Sequence, residues 1–157
     1  MFDQVWALFK TAIFTIVVPG TVAVCLPDAL TRGAVFAPPS GLAGYAALIP
    51  IAFGVVLYAR CAWDFSVVGL GTPAPIDPPK ALVRRGPYRW TRNPIYVAVT
   101  SVLVGEWILT GSSALGWHAL AVFVGFNAFV MLYEEPTLRE KFGDEYTNYC
   151  GRVPRWL

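Results

Sequence analysis

The chain has 157 residues and is 56% hydrophobic, 15% aromatic and only 14% charged, with a mean hydropathy of +0.54. Soluble domains run near ~45–50% apolar and ~25% charged. A soluble fold of this length would carry more apolar surface than its core can hide, so the sequence reads as one membrane domain over residues 1–157. A net charge of +2 is too small to suggest a nucleic-acid binder, the Gly and Pro are not arranged as low complexity, and a disordered chain and a secreted disulfide scaffold are excluded. Cys25, Cys61 and Cys150 lie far apart, with no CxxC and no His/Cys metal spacing, so they read as free cysteines on apolar faces and no metal site is expected.

A helix needs about 20 apolar residues to cross ~30 Å of hydrocarbon. Four stretches qualify: residues 5–26, 42–59, 94–110 and 115–133. Residues 12–26 could pass for a signal-peptide core, but Asp3 and Lys10 make a weak basic start and Val-Ala-Val before Cys25 is a poor cleavage context, so the segment is kept as a span. Pro19-Gly20 predicts a kink in the first span, and Pro50 interrupts the second. With four spans, both termini and the middle loop share a side. That side holds Lys10, Arg60, Lys80, Arg84, Arg85, Arg89, Arg92, Arg139, Lys141, Arg152 and Arg155, eleven bases against Arg32 alone. The asymmetry places that side in the cytoplasm and the turn Gly111-Ser112-Ser113 on the far side.

The cytoplasmic loop, residues 64–93, carries Pro73, Pro75, Pro78, Pro79 and Pro87, and its bases would attract anionic headgroups at roughly 1 kcal/mol each. After the fourth span, Pro136 can open a new helix over residues 136–150. Leu138, Phe142, Tyr146 and Tyr149 recur at helical spacing, so this element is expected as an interfacial amphipathic helix. The predicted fold is therefore all-α, with four transmembrane helices and that C-terminal helix.

Polar groups gather at the cytoplasmic ends of the last two spans. Asn93 is a good N-cap and Pro94 a good first helical residue, so a positive helix start with Arg92 beside it suits a carboxylate or a phosphate. Tyr88, Trp90 and Tyr96 offer flat surfaces for an adenine; a capped helix with an interfacial aromatic belt would use the same residues. At the end of span four, Tyr133-Glu134-Glu135-Pro136 brings paired carboxylates that could hold an ammonium, a ribose diol or a sulfonium, or take a proton. The positive end of the following helix would favour the same acids without any ligand. Within the spans, Glu106 lies near the far side and could snorkel beside Trp107, His118 reads as a satisfied structural group, and Asn127 could extend the acidic cluster or bond a neighbouring helix.

Arg92-Asn93-Pro94-Ile95-Tyr96, a hydrophobic span pair and then Glu134-Glu135 resemble the signature of the integral-membrane methyltransferases, the superfamily of isoprenylcysteine carboxyl methyltransferases and phospholipid methyltransferases. Gly71-Thr72-Pro73, Gly86-Pro87-Tyr88 and the tail Phe142-Gly143, Tyr146, Tyr149, Val153-Pro154-Arg155 are similar to its bacterial members, so the likeness covers about residues 69–156. It implies S-adenosylmethionine as methyl donor, bound from the cytoplasm, with Tyr88, Asn93, Pro94, Tyr96, Tyr133, Glu134 and Glu135 as cofactor-binding residues and Arg92 and Glu135 as catalytic ones. The chain departs from the prenylcysteine enzymes at Asn93, where they typically carry His, so a hydrogen bond survives there and imidazole chemistry does not.

Methyl transfer is an in-line displacement, and the protein's main task is to hold nucleophile, methyl and sulfonium collinear. The expected function is a methyltransferase of the inner membrane acting on a lipophilic acceptor (a carboxylate, thiol or lipid amine) that enters from the bilayer. A homodimer would cover some of the exposed apolar surface. Two rivals remain: a membrane reductase using NADPH, for which there is no dinucleotide Gly fingerprint, and a non-catalytic assembly or sensor protein.

Overall fold

The computed structural model of the protein describes residues 2–69 and 81–157. The expectations that fall on Gly71, Thr72, Pro73, Pro75, Pro78, Pro79 and Lys80 lie outside the described residues. Every regular element among those described is helical. In chain order they are α1 (Phe2–Gly20), α2 (Leu26–Thr31), α3 (Gly41–Asp64), α4 (Pro94–Thr110), α5 (Ser113–Phe129), α6 (Glu135–Phe142) and α7 (Asp144–Cys150).

Three helical runs are long and apolar enough to cross a bilayer: Val5–Thr31, Gly41–Val67 and Ser113–Phe142. The fourth expected span, α4, has 17 residues and is shorter, about 25 Å at 1.5 Å per residue. Large apolar side chains such as Ile16, Val17, Ile49, Val56 and Leu132 stand on the outside of the bundle, where lipid replaces a protein core. The protein is an all-α membrane protein.

Single-turn π segments join the helices of two of the long runs, Thr21–Cys25 between α1 and α2 and Val130–Glu134 between α5 and α6. Each is followed two residues later by a proline, Pro27 and Pro136. The amide of Leu26 reaches back five residues to the carbonyl of Thr21, so the next bond in that register would need the N–H that Pro27 lacks. Nε2 of His118 on α5 supplies it instead, donating to the carbonyl of Val22 at 2.9 Å. His118 is thus a structural donor. Pro136 likewise follows a π segment and continues the helix. The new helix expected from residue 136 is not a separate element: α6 runs on from α5, and the chain breaks at Gly143 (φ 52°, ψ −126°), a conformation that needs glycine. The aromatic face of this region turns inward. Tyr146, Tyr149 and Val153 form a small core with Leu82, Leu138 and Phe142, so the face lies on the protein itself.

Helices α3 and α4 are antiparallel and in close backbone contact. A Cβ on Gly54 would lie 2.5 Å from the carbonyl oxygen of Ala98, and one on Gly105 would lie 2.4 Å from Ile51. Two glycines, one on each helix and about a turn apart along the interface, let the backbones approach where hydrophobic association offers no drive inside lipid. Glu106 sits beside this contact, 7% exposed, with Oε2 unpartnered. It is buried within the protein and so does not snorkel. Helix α1 is tied to the rest by polar bonds: Ser66 Oγ to Thr11 Oγ1 at 3.0 Å, and Thr15 Oγ1 with the Tyr58 hydroxyl at 2.8 Å.

Candidate functional site

The segment before α4 is set by Asp64. This carboxylate, fully buried at the end of α3, accepts from Arg85 Nε at 3.1 Å and lies 3.5 Å from Arg60 Nε. Gly86 turns over it at φ 58°, where a Cβ would come within 2.7 Å of the Asp64 oxygen. The short turn Gly86–Arg89 then carries Tyr88 into contact with Cys61 and Val83. The Tyr88 hydroxyl has the soft Cys61 thiol beside it and no nitrogen or oxygen partner among the described residues. Its carbonyl accepts from the Tyr149 hydroxyl at 2.7 Å. Burial pushes the phenols of Tyr88, Tyr146 and Tyr149 above their usual value.

At the start of α4, Asn93 occupies the N-cap position but its side chain does not cap. Its Nδ2 donates instead to the carbonyl of Arg155 at 3.0 Å, which also accepts from Thr91 Oγ1 at 2.9 Å. The Arg92 amide donates to Pro154 O at 3.0 Å. Residues 91–93 are thus strapped to the C-terminal tail, and the first turn of α4 keeps its positive end without a side-chain cap. The tail is fixed further along by Trp156, whose Nε1 donates to Asn127 Oδ1 at 3.0 Å. Asn127 therefore serves the tail and does not extend the acidic cluster.

The two glutamates part company. Glu135, 5% exposed at its side chain, accepts from Arg155 Nε and Nη2 at 2.8 and 3.0 Å and is ion-paired with Arg92 Nη1 at 3.0 Å and Arg139 at 3.7 Å. Arg92 Nη1 also lies 2.7 Å from the Cys150 sulfur, while its Nε is buried without a partner among the described residues. Glu134 accepts from the Tyr96 hydroxyl at 2.7 Å. The Tyr96 ring is held against Phe126 with centroids 4.6 Å apart.

Between these groups lies a cavity of about 300 Å³. Tyr88, Arg92, Asn93, Pro94, Tyr96 and Glu134 line it, so most residues singled out in sequence converge there. Glu135 stands behind Arg92 and is not part of the lining, and Tyr133 is exposed, with its ring on Phe129 at 5.2 Å. The rest of the wall is apolar: Phe14 and Val18 of α1, Phe65, Ile95 of α4, and Phe126 and Phe129 of α5. Sequence reasoning missed this wall. One signal was present, since Phe126 precedes Glu134 by eight residues, a spacing that shares a helix face. Nothing in the sequence announced the part played by α1.

Residues 42–145 match the family model of phospholipid methyltransferases. An uncharacterized protein of Haemophilus influenzae is 36% identical over 64 residues, covering 40% of this chain and all of that relative. No solved structure matches the chain.

Proposed function

The chain belongs to the phospholipid methyltransferase family, and from that membership we propose that it transfers a methyl group from S-adenosylmethionine to a lipophilic acceptor reaching the cavity from the bilayer. The observation that carries the reading is the convergence of an uncapped helix start, one carboxylate and an aromatic wall around about 300 Å³. That volume is at the lower end of the roughly 300–1,000 Å³ of small-molecule sites. The cofactor supplies an electrophilic methyl on a sulfonium.

The first turn of α4 and the unpartnered Arg92 Nε suit the cofactor's carboxylate. The phenylalanines suit its adenine. Tyr96 fixes the Glu134 carboxylate by its hydrogen bond and is itself fixed by Phe126. The apolar wall excludes water, so the charges inside interact more strongly than they would in solution.

Charge favours one acceptor class. Among the described residues Arg92 is the one guanidinium on the lining, and Glu135 already neutralises it at 3.0 Å. Among the described lining residues the uncompensated charge is that of Glu134, which favours an amine over a carboxylate acceptor. An amine must lose a proton before it attacks, and Glu134 is the carboxylate with an oxygen to spare. The assignment of Glu135 as a base gives way to an ion-pair role, because Arg92 and Arg155 occupy both its oxygens. The eleven-to-one distribution of bases supports a cytoplasmic site on the inner membrane.

Thermal unfolding of the detergent-purified protein tests the donor. Ligand at about 100 times its dissociation constant stabilises by roughly 2.7 kcal/mol. Shifts with S-adenosylmethionine and S-adenosylhomocysteine, and none with NADPH, are expected. A shift with NADPH alone would replace the methyltransferase reading with the reductase. Donor binding with no labelled methyl passed to any membrane lipid extract would favour the non-catalytic one.

A further inference from the structure

A second cavity, of about 640 Å³, lies on the other side of the Tyr88–Tyr149 contact and shares no lining residue with the first. Arg84, Arg89 and Arg152 line it, with Glu145, Asn148 and Tyr149. The three arginines come from separate places: Arg84 from the segment before the Gly86 turn, Arg89 from its end, and Arg152 from the turn after α7, whose amide donates to Tyr149 O at 3.1 Å. The strap that bonds Tyr149 to Tyr88 thus brings them around one hollow.

Their charge is not balanced locally. Arg84 pairs with Glu145 at 2.7 Å, while Arg89 and Arg152 have no acidic partner among the described residues. Like charges gathered around a concavity repel one another unless an anion joins them, and the planar fork of a guanidinium matches phosphate oxygens in pairs. The hollow stands at the end of the bundle where α3 ends and α4 begins, the level also marked by exposed Trp63 and Trp90. Interfacial tryptophans mark the headgroup layer, where the phosphates of a bilayer lie.

We propose that this cavity is a phosphate-binding site that takes the headgroup phosphodiester of an anionic membrane lipid, separate from the cavity that binds the methyl donor. Its test is thermal unfolding in neutral detergent with phosphatidylglycerol, with diacylglycerol, which has no phosphate, and with inorganic phosphate. Phosphatidylglycerol near saturation should raise the midpoint of the native protein by about 5 °C or more, and diacylglycerol should not. Arg89→Gln/Arg152→Gln, at two exposed positions outside the donor cavity, should lose that rise and keep the shift given by S-adenosylmethionine. If the double variant lacks the donor shift as well, Arg152→Gln alone is read in its place. An equal rise with inorganic phosphate would keep the site and overturn the lipid as its source. Equal stabilisation of native protein and variant by the lipid, or of neither, would overturn the site.

Discussion

Arg155 grips Glu135 with two parallel hydrogen bonds, at 2.8 and 3.0 Å, across 20 residues of sequence. The neighbouring Glu134 faces away from that pair, toward Tyr96 and the cavity. Two adjacent carboxylates are thereby given different work by the helix that carries them, since consecutive residues point about 100° apart. One closes an ion-pair cluster that anchors the tail to the start of α4. The other is left with a single phenolic donor beside the apolar wall.

The division predicts opposite consequences for two isosteric changes. Glu134→Gln keeps the shape and can still accept from Tyr96, but it removes the charge. Methyl transfer should fall by about 10²–10⁴ with the unfolding midpoint held. Tyr96→Phe removes a bond to a charged group, and at roughly 1.5–3 kcal/mol it should cost about 10–100-fold in rate. Native turnover in Glu134→Gln would remove it from the mechanism.

Glu135→Gln should act on folding. It leaves Arg92, only 11% exposed, with no counter-charge at 3.0 Å, and breaking a buried pair from one side costs about 3–5 kcal/mol. The midpoint should drop by roughly 6–20 °C. Arg155→Lys should fall partway, because an ammonium cannot form the paired bonds. A variant that keeps its midpoint and loses turnover would restore Glu135 to the chemistry.

What the sequence disclosed follows the range of the forces involved. Hydropathy and the prolines are local, so helix α4 was legible to the residue and the starts of the other runs to within two residues, while their ends run on five to nine residues further than expected. The motif around Asn93 and the Glu134-Glu135 pair also pointed to the right end of the bundle. Long-range bonds were not legible. The Asn93 side chain left its helix for the Arg155 carbonyl, 62 residues away. The inward turn of the Tyr146 and Tyr149 face depended on Leu82, and the cavity wall on Phe14 of a helix outside the motif region. The break at Gly143 had a local signal, a glycine between Phe142 and Asp144, which the aromatic periodicity overrode.

Gly86 and Gly111 separate backbone strain from crowding. Both have positive φ, 58° and 64°, but a Cβ on Gly111 meets nothing within 4 Å, while one on Gly86 meets Asp64 at 2.7 Å. Alanine at either costs about 1–2 kcal/mol for the left-handed backbone. Gly86→Ala should cost at least about 1 kcal/mol more, as overpacking does, and should weaken S-adenosylmethionine binding by displacing Tyr88. Equal losses at the two sites would show that the Asp64 contact does not set the turn.

Alkaline pH tests the tyrosine cluster. Burial holds Tyr88, Tyr146 and Tyr149 above the ordinary value of 10.0, so the unfolded chain releases these protons first. Above about pH 10 the unfolded state therefore binds fewer protons than the folded one, and stability falls as pH rises; below it the contribution is fully present. Each group adds up to about 1.4 kcal/mol per pH unit. The midpoint should be level from about pH 7 to 9 and decline above 10. The comparison is with Tyr149→Phe, whose phenol is one of the three. That variant should start lower by about 1–3 kcal/mol, since the Tyr88 carbonyl loses its donor, and should then decline less steeply. A native slope in Tyr149→Phe would mean that this phenol does not govern alkaline unfolding.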